Sequence, residues 1–215
     1  MQDDLILKIA SDVRSRMSSD SSHDWWHVYR VWQMAKRLAV EENADLRVVE
    51  LGALLHDIAD WKFHDGDETV GPRIAGEILT THGVDLTVIE QVQDIIATIS
   101  YKGAGVATPM KTKEGECVQD ADRLDAIGAI GIARTFAYGG AKGRSMYDPD
   151  IPPTMHQDKD SYHKDNGHTI NHFYEKLLLV KDRLNTKSAK QIAEGRHAFL
   201  EKYLEEFYKE WNGER

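Results

Sequence analysis

The chain has 215 residues, 41% of them hydrophobic and 29% charged, and a formal net charge of -9. This length and composition fit a single globular domain spanning residues 1–215 with a true core, and exclude intrinsic disorder. The acidic balance weighs against a nucleic-acid-binding surface, because phosphate backbones are held by clustered Lys and Arg. A small phosphorylated substrate stays compatible with it, since a few local cations in a cleft suffice. Cys117 stands alone, so there is no disulfide framework, which fits a reducing compartment. The start, MQDDLILKIA, lacks the pattern of a signal peptide, and no window approaches about 18 consecutive apolar residues. The expectation is a cytoplasmic protein without a membrane partner.

Helical periodicity dominates the chain. Leu5, Ile9 and Val13 mark a first short helix, followed by the polar run SSDSS. A long helix is predicted from about Asp24 to Asn43, and Asp45 reads as the N-cap of a third over about 46–59. Thr69 to His82 forms the next, closed by Gly83, and Asp85 can cap another reaching about Ser100. Residues 102–113 read as a loop, and Glu114 to Tyr138 as one helical stretch despite Gly128 and Gly131. From Gly139 to Gly167 the chain is aperiodic and rich in Gly, Pro, Asp and His, a length expected of a functional lid or of a disordered segment. Two helices close the sequence, about 168–184 and 187–212. In the second, Phe199, Tyr203, Phe207 and Trp211 recur every fourth residue and read as a core stripe. The fold class is all-α, a helical bundle with one long irregular segment near 139–167.

The chemistry concentrates in LGALLHDIADWK, residues 51–62. At about 100° per residue, Leu51, Leu54, Leu55 and Ile58 share one side and His56, Asp57 and Asp60 the other. Val49 and Ala53 accompany the second side, so the helix is apolar nearly all round and is expected to be buried. A buried carboxylate beside a buried imidazole needs compensation. Metal ligation supplies it; so does an internal His–Asp hydrogen bond, or a helix end emerging into water. Two further residues bear on the choice. His27 lies in HDWWHVYRV near a helix start, where a partly exposed histidine is also ordinary. Asp122 lies in VQDADRLDAIGAIGIAR, where a salt bridge to Arg123 is the simpler role. Ala126, Ala129 and Ala133 continue the Asp122 side and would allow close approach of another helix.

The order His27, His56-Asp57, Asp122 resembles the HD superfamily of metal-dependent phosphohydrolases. The local contexts are similar too: Val31 four residues after the first His, the pentad ALLHD, and ADRLDA around the last Asp. The segments HDIADWK, GDET, VQDADRLDAIGAIGIARTFAYGG and NHFYEKL resemble a bacterial subfamily of stand-alone HD hydrolases, over about residues 20–210. The resemblance implies an all-helical fold and one divalent metal ion on His27, His56, Asp57 and Asp122. Two imidazoles and two carboxylates suit a transition metal, Mn²⁺ first, with Fe²⁺, Co²⁺, Ni²⁺ or Zn²⁺ in place of Mg²⁺ as alternatives.

It further implies hydrolysis of a nucleotide or related phosphorylated metabolite, with nucleoside triphosphate pyrophosphohydrolysis ranked first. A 5′-nucleotidase-type phosphomonoesterase and a non-catalytic metal- or nucleotide-binding sensor are the alternatives. Asp60, at the spacing where many members carry Glu, is the expected general base beside Asp57. Lys62, Arg123 and Lys176 fall in matching segments and are the expected substrate-binding cations. Arg134 is placed three turns further along the helix of Asp122. The aromatic C-terminal helix could supply a homodimer surface.

Overall fold

The computed structural model describes residues 2–17, 24–59, 67, 69–100, 106–155 and 167–215. Among them the fold is all-α, with nine α-helices, two short 3₁₀ turns and no strand. The chain divides into two compact units, Met1–Tyr101 with Ala107–Asp122, and Lys102–Val106 with Arg123–Arg215.

The first unit begins with α1 (Gln2–Arg16) and α2 (Trp25–Glu42). The carboxylate of Asp24 caps α2, and Asn43 ends it in the left-handed conformation, φ 54°. Val28, Val31, Ala35 and Leu38 form the buried stripe of α2. α3 (Leu46–Leu55) starts where Asp45 accepts hydrogen bonds from the amides of Arg47 and Val48. Its sequence is apolar on every side, and Val48, Val49 and Leu51 to Leu55 are all buried, with α1, α2 and α5 (Leu86–Thr98) packed around it. α4 (Val70–Thr81) packs along α5, and α6 begins at Lys113.

Several elements depart from the periodic reading. α3 stops at Leu55, not near 59, so His56 and Asp57 lie in the turn just beyond it. The stretch 114–138 is two helices, α6 (Lys113–Asp125) and α7 (Gly128–Ala141). Gly128, the first residue of α7, sits at φ +78°, a conformation that a helix interior does not accommodate, and so marks the break between the two. Arg134 therefore belongs to α7, where it pairs with Asp125 at 2.8 Å. Ala129 and Ala133 are exposed and do not extend a close-packing face from Asp122.

In the second unit, the expected helix 168–184 is α8 (Asn171–Glu175) followed by 3₁₀ turns at 177–179 and 181–183. The shorter repeat brings Leu177 and Val180 to one buried side. α9 (Lys187–Trp211) buries Ala189, Ala193, Leu200 and Leu204, whereas Phe199 and Trp211 are half exposed. The aromatic row is thus not the core stripe. Tyr203, Phe207 and Trp211 join Tyr147, Phe136 and Phe173 in an edge-to-face and stacked cluster flanking it. The described part of the irregular segment is tied down. Ser145 and Met146 carbonyls accept the amides of Thr169 and Ile170, and Glu175 accepts the Thr154 amide at 2.8 Å. Residues 156–166 lie outside the described residues.

Candidate metal centre

Three stretches of the first unit deliver four side chains to one point. His27 stands in the first turn of α2, where its amide donates to the Asp24 carboxylate at 2.8 Å. That cap holds the turn from which the imidazole projects. His56 follows the last residue of α3, and its Nδ1 lies 2.7 Å from the Ala53 carbonyl. A carbonyl oxygen only accepts, so Nδ1 carries the proton and Nε2 presents its lone pair. That Nε2 faces His27 Nε2 at 3.2 Å. Asp57 Oδ2 lies 3.3 Å from His27 Nε2 and 3.6 Å from His56 Nε2. From α6, Asp122 Oδ1 reaches the same two nitrogens at 3.4 and 3.9 Å.

Electron-rich atoms so close repel one another unless positive charge lies among them, either a proton or a cation. The spacing fits a cation. An ion about 2.1 Å from each donor separates neighbouring donors by about 3.0–3.4 Å. The donor atoms of His27, His56 and Asp57 come close to this spacing, at 3.2, 3.3 and 3.6 Å from one another. The donor chemistry of two imidazole nitrogens and two carboxylates suits a divalent transition ion. Both imidazoles are buried, while the Asp57 and Asp122 side chains are 19% and 35% exposed. The carboxylate side of the centre is thus its exposed side. Without a metal, when protons supply the positive charge among these donors, burial pushes the Asp122 carboxyl up, but the hydrogen bond from His27 and the charges of His56 and His27 outweigh it and hold the pKa at about 2. Asp122 is accordingly an anion throughout the physiological range.

The four expected ligands therefore converge. The helical face expected to carry His56, Asp57 and Asp60 does not exist as such, because α3 ends first. Asp60 and Lys62 lie outside the described residues. Arg123 is buried, and its guanidinium donates to the Arg183 carbonyl. Lys176 caps α8, its amide donating to the His172 carbonyl at 3.0 Å. Both belong to the second unit. The orienting role of the Ala53 carbonyl was not anticipated; its only trace in the sequence is a histidine three residues after a helical alanine.

A family model for the HD domain matches residues 25–127, a span holding all four converging side chains. YpgQ of Bacillus subtilis (strain 168) is 37% identical over 213 residues, 96% of each chain. The chain belongs to the HD superfamily. Solved HD structures extend the likeness over the whole length. An HD-superfamily hydrolase from Bacillus thuringiensis is 44% identical with a TM-score of 0.77, covering 99% of both chains. Bacillus subtilis YpgQ in complex with ADP is 34% identical with a TM-score of 0.78, covering 97% of this chain and 96% of its own. In this HD chain the histidine of the name-giving pair is the helix-capping His56 and the aspartate is Asp57.

Proposed function

We propose that this HD-domain chain is a metal-dependent hydrolase of phosphorylated metabolites, and that its leading reaction converts a nucleoside triphosphate to monophosphate and pyrophosphate. The observation that carries the reading is the convergence of His27, His56 and Asp57, with donor atoms 3.2–3.6 Å apart, and of Asp122, whose oxygen lies 3.4 and 3.9 Å from the two imidazole nitrogens. A hydrolase in the family supports the reaction class. A relative crystallised with ADP supports a nucleotide as the substrate class. A divalent ion, Mn²⁺ by preference, would polarise a phosphoryl oxygen and acidify a coordinated water when bound.

The chain's own residues carry the rest. His56 and His27 hold their imidazoles fixed through the Ala53 carbonyl and the Asp24 cap. Asp57 and Asp122 cancel a divalent charge, so attraction for the substrate phosphates must come from neighbouring cations. We assign Lys62 to that task. Arg123 and Lys176 are further candidates, although Arg123 already donates to a backbone carbonyl. Asp60 is assigned as general base, accepting a proton from the attacking water.

Product analysis tests the proposal. Purified protein is incubated with each nucleoside triphosphate under Mn²⁺, Co²⁺, Ni²⁺, Zn²⁺ and Mg²⁺ in turn. Monophosphate and pyrophosphate in equal amounts are expected. Orthophosphate released from monophosphates alone would replace this reading with a 5′-nucleotidase, and nucleotide binding without turnover would replace it with a sensor.

A further inference from the structure

The turn carrying the metal ligands is held on one side by α3. His56 Nδ1 donates to Ala53, and the Ile58 amide donates to the Leu55 carbonyl at 3.1 Å. On its other side it meets Gly71, in the first turn of α4. A Cβ built on Gly71 would lie 3.2 Å from the carbonyl oxygen of Ala59 and 3.3 Å from Cγ2 of Ile96 on α5. Ala59 is two residues past Asp57. Both distances are tighter than ordinary van der Waals contact between carbon and its neighbours, so one of the flanking groups must yield to any side chain at position 71.

The α5 side yields poorly. Ile96 is buried, and a β-branched residue on a helix keeps one strongly preferred χ1 rotamer, so its Cγ2 cannot swing away. Nor can α4 simply back off, since Gln93 of α5 donates to the Pro72 carbonyl at 2.9 Å and fixes the start of α4 to α5. The displacement falls on Ala59, and with it on the short turn bearing Asp57. We infer that Gly71 is a positioning residue for the metal centre: its missing side chain lets α4 back the His56–Ala59 turn and keep the Asp57 carboxylate at 3.3–3.6 Å from the two imidazoles. The inference rests on the proposed metal centre and adds to it a residue that touches neither metal nor substrate.

Gly71→Ala tests it, because alanine is the better helix former and would be benign or stabilising if the space were free. Gly195→Ala in α9 is the comparison for a helical glycine: a Cβ there meets nothing within 4 Å. Chelator-treated full-length proteins are titrated with Mn²⁺ by calorimetry, and melting is followed with and without the ion. Gly71→Ala is expected to weaken Mn²⁺ binding about tenfold, the low end for residues that orient ligands, while Gly195→Ala binds as wild type. Adding Ile96→Ala, which opens the α5 side, should restore affinity to Gly71→Ala while lowering the melting temperature further. This double variant also carries the test if Gly71→Ala alone fails to fold. Wild-type affinity in Gly71→Ala, equal weakening in both glycine variants, or a folded double variant that binds weakly would each overturn the inference. If the wild-type protein binds no Mn²⁺ or other transition ion, the metal centre itself is refuted and the inference with it.

Discussion

His27 is the hub of the centre, its Nε2 lying within 3.2–3.4 Å of His56, Asp57 and Asp122. His27→Ala should act on two separable quantities. The first is metal-linked stability. At an ion concentration about 100 times Kd, the wild-type folded state gains about 2.7 kcal/mol, or about 5–10 °C in Tm for a chain of this size. Losing one of four ligands should abolish that gain at the same ion concentration. The second quantity is seen without metal. Asp122 is held at about 2 instead of 3.8 with help from His27, a shift corresponding to about 2 kcal/mol. With the Asp122 side chain 35% exposed, solvent screening reduces this to about 1 kcal/mol. The folded-state pKa is depressed, so this stability is complete above pH 3.8 and is lost as pH falls through about 2. Urea titrations in chelator should therefore show wild type more stable than His27→Ala above about pH 4, with the gap narrowing by about 1 kcal/mol toward pH 2. Metal content by elemental analysis and melting with and without Mn²⁺ complete the assay. A variant that still gains several degrees from Mn²⁺, or a gap that does not narrow in acid, would refute the reasoning.

Asp60→Asn keeps size and hydrogen bonding but loses the base. Near-normal metal content with kcat reduced about 100-fold or more is expected, and wild-type turnover would remove Asp60 from that role. Gly128→Ala forces a side chain into the left-handed region and against the Arg196 stem, with Cβ 3.1–3.4 Å from its carbons. A loss of about 1–2 kcal/mol is expected in thermal or urea unfolding, and an unchanged midpoint would contradict the assigned break between α6 and α7.

Much of the first unit was legible in the sequence because its signals are local. Asp24 and Asp45 start helices as capping chemistry dictates, and an all-round apolar α3 could only be buried. The four side chains that the structure brings together were singled out as well, since each sits in a stretch that resembles the HD superfamily. The end of α3 was not. Residues 56–59 contain no helix breaker, and the helix stops where His56 Nδ1 takes the Ala53 carbonyl, which the amide of residue 57 would need in order to continue. That competition is set by the position of the imidazole, which periodicity does not encode. In α9 the misreading has a different cause. Large aromatic residues dominate a hydrophobic pattern, whereas the buried line runs through Ala189, Ala193, Leu200 and Leu204. Small residues mark the closest approach, and size-weighted patterns overlook them. At Gly128 the decisive quantity is a positive φ, which one residue type permits without requiring.

The bond between His56 and Ala53 has a consequence for how the centre responds to sequence change. In many metal sites the ring is oriented by a carboxylate or amide side chain, and a single substitution there scrambles the tautomer. Here the acceptor is the main chain of the buried C-terminal half of α3. Every amino acid at position 53 brings the same oxygen, so no substitution of that residue can delete the acceptor. Loss of proton placement on His56 requires moving α3 itself. Its surroundings, Ile95 on α5 and Val118 on α6 beside Gly52 among them, therefore guard the chemistry as well as the fold. Random mutagenesis should accordingly find inactivating changes of this kind as packing defects in the walls around α3, with none appearing as the loss of a polar partner.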